Sequence, residues 1–215
     1  MASKQIPVYL FVGMLESGKT KFIQETMEDP QFDSGDKTLL LVCEEGEEEY
    51  DPDRFGFGGV TVEVLADKSE LNAQNLERLA KKSGCGRVVI EYNGMWLLQD
   101  LADALPQNWV IYQCLATADG TTVKTYAGDN AMRALLLDKL RASELLVVNR
   151  AEKVDDDESR TVLLQFFSND PNRFGHADHA DFNGIDVDIF KYGINLRCDQ
   201  FRCDVHIPAN ALCIL

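Results

Sequence analysis

Val8-Tyr9-Leu10-Phe11-Val12-Gly13-Met14-Leu15-Glu16-Ser17-Gly18-Lys19-Thr20 is the stretch that decides the fold. Its first five residues form an unbroken apolar run, the pattern of a strand buried on both faces. Its last eight fit G-x-x-x-x-G-K-[ST], and beyond them Phe22, Ile23, Thr26 and Met27 recur at helical spacing. Strand, glycine loop and helix in that order make a phosphate cradle. The glycines let backbone N–H groups curl round an anion that the helix N-terminus also faces. In such a loop the lysine, Lys19, pairs with the β- and γ-phosphates, and the Thr20 hydroxyl binds magnesium. Gly13, Glu16, Ser17, Gly18, Lys19 and Thr20 are therefore the first candidates for nucleotide binding.

Working outward, the apolar runs 38–43, 87–91, 109–115 and 144–148 read as further buried strands, with a shorter one at 60–65. Helical periodicity marks 71–82, 95–105, 129–140 and 156–167. Residues 169–183 read as polar loop and 185–192 as a last strand. Continuous apolar strands alternating with amphipathic helices predict an α/β fold of the P-loop type: a mostly parallel sheet with helices on both faces. Residues 1–195 suit one such domain. The tail 196–215, with a short strand-like segment at 205–208, is read as the start of a lost or truncated second domain.

Ligands of parallel sheets bind at the carboxyl ends of the strands. Glu44, Glu91 and Asn149 all lie just past strand ends, so they should gather on the edge that carries the phosphate loop. Glu91 opens Glu91-Tyr92-Asn93-Gly94, an acid followed three residues later by a glycine. The carboxylate can hold magnesium directly or through water, and the Gly94 N–H can approach a γ-phosphate because no side chain intervenes. A strand-end carboxylate that merely caps the next helix is the plainer alternative. Glu44 is a second candidate, for magnesium or for orienting an attacking water. Spacing alone does not say which glutamate of the run 44–49 faces the site; the others read as a solvated acidic loop. The catalytic candidates are thus Lys19, Glu44 and Glu91, and the metal candidates Thr20, Glu44 and Glu91. Asn149-Arg150-Ala151-Glu152 is close to the N-K-x-D element that reads guanine, with Arg for Lys and Glu for Asp. A carboxylate there can accept from the guanine N1–H and amine while the basic stem lies over the base. His176, Asp178, His179 and Asp181 form a possible loop chelate for a transition metal.

The net charge of −15 argues against nucleic acid and against an anionic membrane surface as partners. No apolar stretch approaches the ~20 residues that span a bilayer. The N-terminal apolar run leads straight into the phosphate loop, against a cleaved signal peptide. Six scattered cysteines without a C-x-x-C pair fit reduced thiols in a cytoplasmic setting.

Taken together, the chain resembles the nucleotide-binding domain of CobW-type P-loop GTPases, relatives of the nickel-insertion GTPases of hydrogenase and urease maturation. Four stretches carry the likeness. Residues 12–20 match the phosphate loop, and Leu41-Val42-Cys43-Glu44-Glu45-Gly46 the strand ending in N-E-F-G. Val89-Ile90-Glu91-Tyr92-Asn93-Gly94 matches I-E-x-x-G, and Val147-Val148-Asn149-Arg150 matches V-x-N-K. The resemblance implies magnesium-dependent GTP hydrolysis linked to metal handling. GTP and GDP would be the ligands, and a homodimer or client protein the partner. Two departures stand out: Cys43 replaces the Asn of N-E-F-G, and the G-C-x-C-C motif is missing, since residues 44–90 contain only Cys85. Two other readings stay open on the residues alone: an ATP-dependent small-molecule kinase, and a nucleotide-gated interaction module with negligible turnover.

Overall fold

Alternation along one strand explains how this chain forms layers. In β1 (Ile6–Gly13) the side chains of Val8, Leu10 and Val12 enter one apolar cluster, and those of Tyr9 and Phe11 enter another. Both clusters are sealed, so the strand must lie mid-sheet with cover on each face. The computed structural model describes residues 4–150 and the short strand 212–214. Expectations for residues 151–211, namely Glu152, the helix 156–167, the polar loop 169–183 with its His176–Asp181 chelate, the strand 185–192 and the strand-like segment 205–208, lie outside the described residues.

Among the described residues, seven strands form one sheet in the order β3-β2-β4-β1-β5-β6-β7. They are β1, β2 (Thr38–Val42), β3 (Val60–Val64), β4 (Arg87–Glu91), β5 (Trp109–Asp119), β6 (Leu145–Asn149) and β7 (Leu212–Ile214). The first six pair in parallel; β7 joins β6 antiparallel at the edge. α1 (Lys19–Glu28) covers one face through Phe22, Ile23 and Met27. α2 (Ala73–Ser83), α3 (Leu98–Ala104) and α5 (Asn130–Ala142) cover the other through Leu76, Leu79, Leu101, Leu136 and Leu140. A short α4 (Val123–Gly128) precedes α5. The fold is the expected α/β sheet with helices on both faces. No helix among the described residues is long and apolar enough to cross a membrane.

Three local readings need correction. β5 runs to Asp119, four residues past the apolar stretch, because Ala116 and Thr117 pair with both β1 and β6 and Ala118 and Asp119 continue the pairing with β6. Alanine and aspartate are poor strand formers, so only those neighbours make this segment a strand. α4 is only six residues long, too short for its core-facing Val123, Tyr126 and Ala127 to stand out as a helical repeat in the sequence. α3 begins at Leu98 rather than 95: the Asn93 side chain accepts the Met95 N–H at 2.8 Å, and Asp100 accepts that of Leu97 at 3.1 Å, which holds residues 93–97 as a turn.

Candidate functional site

Register, more than any single motif, assembles the site. Phe11 of β1 lies beside Glu91 of β4, and Gly13 beside Thr117 of β5. Asp119 in turn faces Asn149 of β6. The carboxyl ends of four neighbouring strands therefore deliver the phosphate loop, an acid, two polar side chains and an amide to one sheet edge. A cavity of about 390 Å³ opens there, lined by the phosphate loop, Glu44, Glu91, Thr117, Asn149 and Arg150.

The loop is built to hold an anion. Glu16 adopts φ 59°, a left-handed conformation that is rare outside glycine. Gly18 takes φ 95° and starts α1 with no side-chain cap and no acid in the first turn. The first N–H groups of that helix are thus left for a ligand. A Cβ on Gly18 would also lie 2.5 Å from Asn149 Nδ2, so Asn149 is packed against the phosphate loop itself. At the rim, Ser17 Oγ and Thr117 Oγ1 share a 2.6 Å hydrogen bond.

Lys19 is almost wholly buried. Its ammonium donates to the carbonyls of Gly13 (3.1 Å) and Met14 (2.9 Å) and to Glu44 Oε2 (2.5 Å). The other Glu44 oxygen accepts the Gly94 N–H at 2.9 Å. Gly94 lies so close to the loop that a Cβ there would sit 2.7 Å from the Gly13 carbonyl. Of the glutamates at 44–49, Glu44 is the one turned inward; Glu45, Glu47, Glu48 and Glu49 are exposed.

Glu91 is buried and accepts two hydroxyls, Thr20 Oγ1 at 2.7 Å and Tyr50 at 2.5 Å. Burial pushes its carboxyl above the usual carboxylate range; the two hydroxyls and Lys19 pull the other way without cancelling it. Burial, reinforced by Glu91, likewise raises the Tyr50 phenol well above its ordinary value. Burial carries the Cys43 thiol up to about 12, aided by Glu91 and Glu44, so it stays a neutral apolar filler.

On the far side, Arg150 has φ 55°, forms an ion pair with Asp119, and donates to the Glu16 carbonyl at 3.3 Å. Its guanidinium is therefore fixed beside the loop, with its stem along the pocket wall. Asp119 also accepts the N–H and hydroxyl of Thr121 at 2.8 and 2.7 Å.

Sequence reading thus located Lys19, Thr20, Glu44, Glu91, Gly94, Asn149 and Arg150, and the fold brings all seven to one edge. It missed Tyr50, Thr117 and Asp119. An Asp-Gly pair at 119–120 was the available signal for Asp119; nothing local marks Tyr50, which comes in from an exposed acidic loop.

Glu91 and Thr20 suit magnesium. Two hard oxygen atoms lie 2.7 Å apart, in a cavity whose lining includes six glutamates against Lys19, Lys21 and Arg150. Among the described residues, no group of three or more His, Cys, Asp or Glu side chains is placed to hold a metal ion.

Residues 7–170 match the family described as CobW/HypB/UreG, nucleotide-binding domain. Among solved structures, the hydrogenase maturation factor HypB from Archaeoglobus fulgidus is similar in fold, with a TM-score of 0.50 at 20% identity over 76% of each chain. No curated protein matches the chain.

Proposed function

The chain belongs to the CobW/HypB/UreG family of nucleotide-binding domains, and from that premise we propose that it binds GTP with magnesium and hydrolyses it. The observation that carries this reading is the convergence of Lys19, Thr20 and Glu91 on one cavity, with the Gly94 N–H tied to it through Glu44. The α1 N-terminus and Lys19 hold the β- and γ-phosphates, and the Gly94 N–H contacts the γ-phosphate. Thr20 and Glu91 hold magnesium, which when bound offsets phosphate charge as a Lewis acid. Tyr50 keeps the Glu91 carboxylate turned toward Thr20. Asn149 braces the loop, while the Arg150 stem offers a flat wall to the base and Glu152 is the carboxylate suited to read guanine. These base-side groups favour GTP over ATP.

Turnover by the chain alone is slow. Among the described residues the cavity has one arginine, and its guanidinium is engaged by Asp119 on the base side. Positive charge at the transferring phosphoryl group then comes from a second copy or a client protein. A link to metal handling follows from the family. The cysteine motif that would hold a cargo metal is missing between β2 and Glu91, so the proposal concerns the nucleotide engine. Cys43 and Cys85, both free thiols, support a reducing, cytoplasmic setting.

Calorimetric titration with GTP, GDP and ATP, with and without magnesium, tests the reading. GTP should bind more tightly than ATP, and Lys19→Ala should abolish binding. Retained affinity in that variant, or a preference for ATP, would overturn it.

A further inference from the structure

A single carboxylate holds both donors that a γ-phosphate requires. Glu44 Oε2 takes the Lys19 ammonium at 2.5 Å, and Oε1 accepts the Gly94 N–H at 2.9 Å. The two side chains are 2% and 8% exposed, so this ion pair is shielded from water. A carboxylate and a phosphoryl group present the same face to such donors: anionic, acceptor-only oxygens at similar spacing.

We propose that Glu44 is a specificity-determining residue, an internal stand-in for the γ-phosphate that a triphosphate must displace and a diphosphate leaves in place. It thereby sets the ratio of GTP to GDP affinity. The inference rests on the reading of this cavity as a guanine nucleotide site.

Local anchoring makes the exchange feasible. Immediately before Glu44, Cys43 is pinned on both sides: its N–H donates to the Glu91 carbonyl at 2.9 Å and its carbonyl accepts Asn93 Nδ2 at 3.0 Å. Residues 45–49 are exposed, and the chain is pinned again where Tyr50 meets Glu91 and Asp51 exchanges two hydrogen bonds with Gln24. Glu44 therefore sits at the hinge of a tethered strap. Its side chain can leave Lys19 while the sheet stays fixed. Removing it leaves the buried Lys19 charge without its carboxylate, a state that an incoming phosphate relieves.

A magnesium ligand and a phosphate stand-in differ in one respect: the ligand acts only when the metal is present. The test is titration of the full chain with GDP and a non-hydrolysable GTP analogue in EDTA, for wild type, Glu44→Ala and Glu44→Gln. The analogue should bind Glu44→Ala about tenfold more tightly than wild type, the size of one charge-assisted hydrogen bond exchanged, while GDP affinity moves less than about threefold. Glu44→Gln keeps the shape and loses the charge, so it should move the ratio the same way by less. It also serves if the alanine variant fails to fold. Unchanged or weaker analogue binding in EDTA would overturn the proposal. So would equal tightening of both nucleotides, because Glu44 would then obstruct Lys19 without regard to the third phosphate. Failure of wild type to bind either nucleotide, in EDTA and with magnesium alike, would overturn instead the assignment of the site.

Discussion

At Glu91, stability and chemistry pull apart. Burial raises its folded-state titration above the ordinary carboxylate range, so the native state holds that proton more tightly than the unfolded chain does. Its contribution is therefore most favourable at acid pH and is lost as pH rises through the elevated value. Glu91→Gln has no such proton to lose. The variant should melt higher than wild type at about pH 8, by roughly 2–4 °C per kcal/mol relieved, with the gap closing toward about pH 5. Thermal denaturation across that range checks it, and a gap that widens on acidification would contradict it. The same variant should lose magnesium-dependent binding, which marks the strain as functional. Glu91 and Gly94 were readable because a strand-end acid with a glycine three residues on is a local pattern. Tyr50 was not, because its partner is forty-one residues away and nothing beside it is apolar.

Among the elements, α5 shows how far helical periodicity reaches. Leu136 and Leu140 face the core as their spacing predicts. Between them sits Lys139, also fully buried, where the pattern has no place for a charge. Its ammonium donates to the Trp96 carbonyl at 2.5 Å, pairs with Asp138 at 2.7 Å and lies over the Tyr92 ring. Asp138 in turn accepts the Leu98 N–H at 3.0 Å. α5 is thus stitched to the turn that follows Gly94, and through it to the γ-phosphate side of the cavity. Lys139→Met keeps the apolar stem and removes this stitch. It should cost about 2 kcal/mol in chemical denaturation, with faster amide exchange concentrated near Leu98. Uniform acceleration across the sheet would argue against a local tie. The extension of β5 to Asp119 is the complementary case, a strand made by its pairing with β1 as far as Thr117 and with β6 throughout rather than by its own residues.

For the molecule as a whole, the site is an edge shared by β2, β4, β1, β5 and β6, so a ligand bound there bridges elements from residue 15 to residue 150. Binding to the native state alone adds about 2.7 kcal/mol at a hundredfold excess over Kd, which raises Tm on the order of 5–10 °C for a chain this size. Magnesium with a GTP analogue should give that shift in a thermal melt. Lys19→Ala should give none, and a shift surviving in the variant would place the ligand elsewhere. The sequence by itself determined the strand-loop-helix cradle, the parallel sheet and the strand-end placement of Glu44, Glu91 and Asn149, because each is a pattern of neighbours along the chain. Only the tertiary structure decided which glutamate of the acidic run turns inward, that it spans Lys19 and Gly94, and that Thr117 lines the cavity while Tyr50 and Asp119 hold its Glu91 and Arg150. Those facts depend on strand register and on burial, which bring together residues that no local spacing connects.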